Sequence, residues 1–357
     1  MFRFKPDPDF SRLRKVLLRE GEPDRVPFYE LFADPEVVNA VAENLDLVDP
    51  KYRREVEAIG DKVIRFYYML GYDYVPAGAG INLPRHNVLQ APDTAELSRG
   101  MRTWVDEHRG TIETMEDFER YPWPSPEGID LSYIEYLGKN LPDGMMVIGS
   151  TSGVLENVTW LMGYEVLSFA LYDNPELVEA MFQKVGELLV AAHEAMAQMD
   201  CVGALVLGDD MGFKTSTLIS PEHLRRYVFP WQKKIAEAAH KHGKPLILHS
   251  CGNLEEIMDD LIDYVGIDAK HSFEDEIVPV TEFKRRYGDR IAVLGGVDVG
   301  FLCRATPEQV REYVRRVLEE CMPGGGYCLG TGNSVANYIK LENYLTMLDE
   351  GLRSGVY

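Results

Sequence analysis

Eight short apolar runs of β type recur along the chain, with amphipathic helical patterns between them. They are VPFYELF (26–32), YDYVPAG (72–78), MMVIGST (145–151), ALVLGDD (204–210), PLILHSC (245–251), VGIDAKHS (265–272), IAVLGGVD (291–298) and GYCLGTGN (326–333). Such alternation specifies βα units around a parallel sheet, and eight units close a (β/α)8 barrel. An α/β TIM barrel is therefore expected. Three intervening segments predict helices strongly. Residues 175–199 open on Pro175 and repeat apolar residues every three or four positions, residues 220–244 have Ser220 as N-cap with proline after it, and residues 306–326 repeat that design with Thr306 and Pro307.

Residues 79–144 break the rhythm. Their central part, GMRTWVDEHRGTIETMEDFERYPWPSP, reads as a β-hairpin followed by a proline-rich return. It is expected to be an insertion between the second and third barrel strands, near the barrel mouth. No internal repeat or linker-like shift in composition divides the chain, so residues 1–357 are expected to form one decorated domain.

Charge narrows the partners. With 37 basic and 58 acidic residues the formal net charge is −21, which argues against nucleic acid or an anionic membrane as a main partner. The charged N-terminal stretch lacks the apolar core of a signal peptide, and no apolar run approaches the roughly 18 residues that span a bilayer. A cytoplasmic location is expected. The cysteines at 201, 251, 303, 321 and 328 never form a CxxC pair, so a disulfide framework is not expected.

In a parallel barrel the C-terminal strand ends converge on one mouth, where the chemistry sits. The runs end in Glu30, Gly78, Ser150 with Thr151, Asp209 with Asp210, His249 with Cys251, His271, Asp298, and Thr331 with Asn333. His249 and Cys251 are two apart on an extended chain, so both side chains leave on one face. Imidazole and thiolate together favour zinc, and Gly252 lets the backbone turn away. A zinc site needs a third ligand, for which Cys328 is the first choice. The plainer reading makes Cys251 a small buried hydrophobe and His249 a satisfied core histidine. Alternation along ALVLGDD favours Asp209 over Asp210 as the inward carboxylate, expected to act in catalysis with His271. Glu30, Asp210, Asp298, Thr331 and Asn333 are expected to bind substrate, with helix capping the alternative for Asp210, His271 and Asp298. The segment HEAMA at 193–197 lacks the second histidine of a zincin helix, which leaves His193 as a helix-surface residue. The pair His240 and His242 falls on the far rim of the barrel. Glycines 324–326 make a turn, without a phosphate-binding fingerprint.

Four stretches, DRVPFYELF, the block GDDMGFKTSTLISPEHLRRYVFPWQKKIAEAAHKHGKPLILHSCGN, VLGGVD and GGGYCLGTGNS, together resemble the uroporphyrinogen decarboxylase superfamily, which includes cobalamin-dependent methyltransferases. The resemblance implies a decorated (β/α)8 barrel with its active site at the C-terminal mouth. Decarboxylases of this family carry an arginine-rich segment after the first strand, whereas here no arginine lies between Arg25 and Arg53; a histidine of their last-strand LGHG pattern is Thr331 here. The methyltransferase branch holds zinc with an HxC pair, matched by His249 and Cys251, and with a late cysteine that would align near Thr331, three residues beyond Cys328. Asp209 and Glu30 are alternatives to Cys328.

The resemblance thus implies a zinc-dependent methyltransferase that works with a corrinoid (cobalamin) carried by a partner protein. Its small-molecule partner would be a methyl donor, of methoxy or methylamine type, or a thiol acceptor. Phe28, Tyr29, Phe32, Tyr67, Tyr68, Tyr72, Tyr74 and Trp160 are aromatic candidates for the pocket or for the core. Two other readings compete: a metal-independent tetrapyrrole decarboxylase with a basic pocket, and a non-catalytic corrinoid or tetrapyrrole binder indifferent to loss of His249 and Cys251.

Overall fold

The computed structural model describes residues 4–357. Nine strands follow one another: β1 (Tyr74–Gly78), β2 (Val88–Pro92), β3 (Met101–Val105), β4 (Met146–Ser152), β5 (Val202–Gly208), β6 (Leu246–His249), β7 (Ala269–His271), β8 (Ala292–Leu294) and β9 (Tyr327–Cys328). Seven of them form one curled parallel sheet in the order β1-β4-β5-β6-β7-β8-β9. Each of these seven falls on or overlaps one of the apolar runs. The runs are apolar throughout because a parallel sheet is covered on both faces, and β5 is buried from Val202 to Leu207.

The first run closes the barrel without forming a ladder of its own. It meets the last strand through the bridge Phe28 to Leu329, with Tyr29 N–H donating to Leu329 O at 2.9 Å and Leu329 N–H to Pro27 O at 3.0 Å. Toward β1, Pro27 and Pro76 bring no N–H donors. The Tyr74 hydroxyl fills the seam instead, accepting from Glu30 N–H at 2.8 Å and donating to Glu30 O at 2.5 Å. Around it Phe28, Tyr29, Tyr67, Tyr72 and Tyr74 are buried core, the commoner fate of aromatic residues. Tyr68 is buried as well, its hydroxyl bonded to Glu55.

The expected insertion is present. Strands β2 and β3 pair antiparallel from Val88↔Val105 to Pro92↔Met101, and Asp93 ties the hairpin to the segment following β9. Its carboxylate accepts from Arg102 Nε at 2.7 Å and from Asn337 Nδ2 at 2.7 Å.

The long helices match the sequence pattern. One spans Pro175–Ala197 and another Pro307–Cys321, with Thr306 in a capping box. In the third, Ser220 caps the N-terminus, a π-helical segment covers Leu224–Val228, and an α-helix runs on over Phe229–Lys241. His193 corrects the sequence expectation. It is fully buried, with one ring nitrogen 2.9 Å from Leu189 O and the other 3.3 Å from Val206 O, so the long helix turns this histidine toward β5. No helix of the described residues is long and apolar enough to cross a membrane.

Candidate active site

Parallel register puts the last residue of β6 beside the last residue of β7, so His249 pairs with His271. Their Nδ1 atoms are 2.8 Å apart, and His271 Nε2 lies 3.2 Å from the Thr331 carbonyl. A carbonyl only accepts, so His271 carries its proton on Nε2 and presents a lone pair at Nδ1. His249 must then donate from Nδ1, which leaves a lone pair on its Nε2. Both rings are neutral: burial first, then the field of His271 and Lys270, holds His249 well below its usual pKa, and burial takes His271 down to about 3.

That Nε2 lone pair belongs to a cluster. His249 Nε2 is 3.6 Å from Cys251 Sγ and 3.7 Å from Asp210 Oδ1, and ligand atoms of the three residues all lie within 4.8 Å of one another. Zinc bound tetrahedrally, with N at about 2.0 Å and S at about 2.3 Å, separates those two donors by roughly 3.5 Å. The spacing therefore suits such an ion. Gly252 makes the turn at φ +81, and a Cβ on it would lie 2.2 Å from the Gly212 backbone. The Cys251 N–H donates to Asp210 Oδ1 at 2.8 Å, so one turn supplies the thiol and fixes the carboxylate. Asn333 Nδ2 donates to Cys251 Sγ at 3.2 Å, and Ser272 Oγ is 3.5 Å from that sulfur. Burial first, then Asp210, pushes the thiol up to about 12; a bound cation reverses that direction.

Of the residues expected from sequence, His249, Cys251, Asp210 and Asn333 line one cavity of about 640 Å³. His271, expected in catalysis, and Thr331 and Glu30, expected to bind substrate, instead stand behind it, bonded to one another rather than lining the cavity. The Glu30 carboxyl accepts from Thr331 N–H at 2.9 Å and bonds its hydroxyl, and Thr331 in turn holds His271. Burial pushes Glu30 up to about 8 against those two hydrogen bonds.

Three further expectations are corrected. Asp209 turns away from the cavity. Its carboxylate accepts from the N–H groups of Val154, Leu155 and Glu156 and from Gln232 Nε2. Strand β5 ends at Gly208, so alternation no longer governs the next two residues, and Asp210 is the one that faces the site. Asp298 caps the helix Val299–Arg304, accepting from Phe301 N–H at 2.6 Å. Cys328 lies wholly buried on β9, in the field of Asp73 and Lys284. Its sulfur is not in the group of possible ligand atoms that gather at His249 and Cys251, where Asp210 stands third.

Sequence reading missed two residues. Glu156 opens into the cavity from the helix Val154–Met162, with Trp160 one turn further along. Burial first, then the Asp210 and Asp209 carboxylates, pushes Glu156 up to about 9. A lone acid in the otherwise apolar first turn after a strand end was its signal. Ser272 has φ +120, an unusual conformation for a residue with a side chain, and no sequence pattern announces it. Of the aromatic candidates, only Phe32 and Trp160 reach the cavity.

The model of the family described as uroporphyrinogen decarboxylase (URO-D) matches residues 107–351. The chain belongs to the URO-D family. Its relatives carry names from two reaction classes. The uroporphyrinogen decarboxylase of Alkalilimnicola ehrlichii is 24% identical over 254 residues, covering 67% of this chain and 66% of that protein. The methylated-thiol–coenzyme M methyltransferase of Methanosarcina mazei is 28% identical over 243 residues, covering 68% of this chain and 59% of that protein. The chain thus spans 59–66% of the length of these relatives. Among solved structures, a methyltransferase from Methanosarcina mazei superposes with a TM-score of 0.66 at 18% identity, over 97% of this chain and 99% of the other. That likeness establishes the URO-D barrel as the common fold.

Proposed function

We propose that this URO-D family member is a zinc-dependent methyltransferase, moving a methyl group between a small methoxy or methylamine compound and a corrinoid on a partner protein. The observation that carries the reading is the hydrogen-bonded chain from Thr331 O through His271 to His249, which leaves His249 Nε2 unprotonated beside Cys251 and Asp210. Metal-bound histidines are oriented in this way by a partner on the other ring nitrogen. When bound, zinc would supply Lewis acidity to the heteroatom that releases the methyl or to the thiol that receives it, and the partner's corrinoid would supply the second methyl-carrying centre. His249, Cys251 and Asp210 would hold the ion, Asn333 would steady the sulfur, and Trp160 and Phe32 would keep water from the methyl group.

Decarboxylation of a tetrapyrrole is the poorer reading. Its carboxylates need cations, and the cavity lining contains Glu156 and Asp210 but no lysine or arginine. Metal analysis tests the proposal. Protein purified without chelators should carry close to one zinc per chain, and Cys251→Ala should lose it along with methyl transfer. Metal-free wild type that cannot be loaded with zinc would sink the reading.

A further inference from the structure

The cavity is far larger than a methyl group, so most of it must receive the remainder of the substrate. Its wall where β4 runs into the helix Val154–Met162 is unusual in two respects. Glu156 lies in the lining and forms no ion pair among the described residues; Arg85, the nearest influence of opposite sign, stacks on the Trp160 ring at 4.7 Å. Thr151 is nine-tenths buried in the same lining, and its hydroxyl has no hydrogen-bond partner. Buried polar groups without partners mark places where a ligand or water completes the bonding.

Charge then selects the ligand. A doubly charged metal ion is balanced by the Asp210 carboxylate and the Cys251 thiolate, while His249 is neutral. Glu156 is the remaining carboxyl of the lining. Burial and the Asp210 and Asp209 carboxylates push it up to about 9, so at about pH 7.5 it gives up its proton when a bound cation offsets that field. Thr151 offers a further acceptor in the same lining. Resting on the methyl-transfer reading, we propose that Glu156 and Thr151 form a subsite for a cationic head group. The substrate would then be a small methyl ether or methylated amine carrying a second, protonated amino group away from the reacting heteroatom. Hydrogen bonds between ionised partners out of water are strong, so the ammonium is favoured by ionising Glu156, a gain that an alcohol or a carboxylate cannot draw on. Trp160 and Phe32 would contact the carbon chain between the two ends.

Three probes that share a methoxy group and differ mainly in charge test this: 2-methoxyethylamine, 2-methoxyethanol and methoxyacetate. Binding is read by calorimetry or Trp160 fluorescence near pH 7.5, with zinc-loaded and with metal-free protein. The ammonium probe should bind at least about tenfold tighter than the alcohol, with methoxyacetate weakest. Glu156→Gln should bring the ammonium probe to within about twofold of the alcohol, while Glu156→Asp, which keeps the charge, should preserve the order. Equal binding of all three, tighter binding of the anion, or an unchanged preference in Glu156→Gln would overturn the subsite. Failure of the metal reading is distinguishable, because absence of zinc with the ammonium probe still preferred over the alcohol, by a smaller factor since Glu156 must then release its proton against the Asp210 field, removes methyl transfer and keeps the head-group site.

Discussion

The His249 ring has its reactive nitrogen chosen for it by a neighbour that never reaches the cavity. His271 is fully buried, with the edge of its contact to Tyr29 at 5.1 Å and its own proton committed to Thr331 O. Replacing it with phenylalanine keeps a ring in the space and removes the acceptor for His249 Nδ1–H. His249 would then be free to take the other tautomer or to rotate, and partners of this kind are worth about 10- to 100-fold in metal affinity. His271→Phe is therefore expected to weaken zinc binding by that range in competition with a chromophoric chelator. Unchanged affinity would mean that the tautomer chain has no hold on the site. Ser272, the next residue, is held at φ +120 while Lys270 Nζ bonds its carbonyl and its hydroxyl meets Cys251. Strain stored beside a reactive group is common at functional sites, and here it aims one hydroxyl at the thiol.

At the scale of elements, the junction of β5 with the helix Val154–Met162 shows why adjacent aspartates serve different ends. Gly153 permits the approach, since a Cβ there would lie 2.0 Å from the Asp209 carboxyl carbon. Asp209 then bonds three backbone N–H groups at the positive end of the helix, together with Gln232. Asp209→Ala would leave three backbone N–H groups without their acceptor and Gln232 Nε2 with only the Met211 sulfur. It is expected to cost about 3 kcal/mol in urea denaturation, whereas Asp210→Ala should cost about 1 kcal/mol or less and instead lose metal. Equal losses of stability would contradict this division. The same junction marks the limit of what sequence reveals. Strands were legible because doubly covered strands read as continuous apolar runs, and helices because caps and periodicity agreed. Which of two adjacent acids enters a cavity depends on where the strand stops, and Gly208 carries no signal for that. The HxC pair was legible since two residues on one chain share a face. Asp210 as its companion, and Cys328 standing outside that group, depend on how the strand ends meet across the barrel, which local pattern does not contain. Glu156 was hidden because a single acid in a first helical turn ordinarily serves the dipole.

For the whole molecule, closure and catalysis share the residues of one seam. The first run reaches β1 through the Tyr74 hydroxyl and reaches the last strand through Glu30, whose carboxyl fixes Thr331 and thereby the carbonyl that orients His271. Stability of the barrel should therefore depend on the protonation of Glu30. Its folded pKa is pushed up to about 8, chiefly by burial, while the unfolded value is about 4.3. Between those values the folded chain keeps a proton that the unfolded chain has released, so rising pH favours unfolding, by at most about 1.4 kcal/mol per pH unit. Glutamine has no such titration and retains an oxygen for Thr331 N–H. The melting temperature of Glu30→Gln relative to wild type is therefore expected to climb steadily from pH 5 to pH 8 and to level off above the folded pKa. A difference that stays constant over that range would show that Glu30 is ionised in the folded barrel, and the seam would then have to hold a negative charge on hydrogen bonds from Thr331 alone.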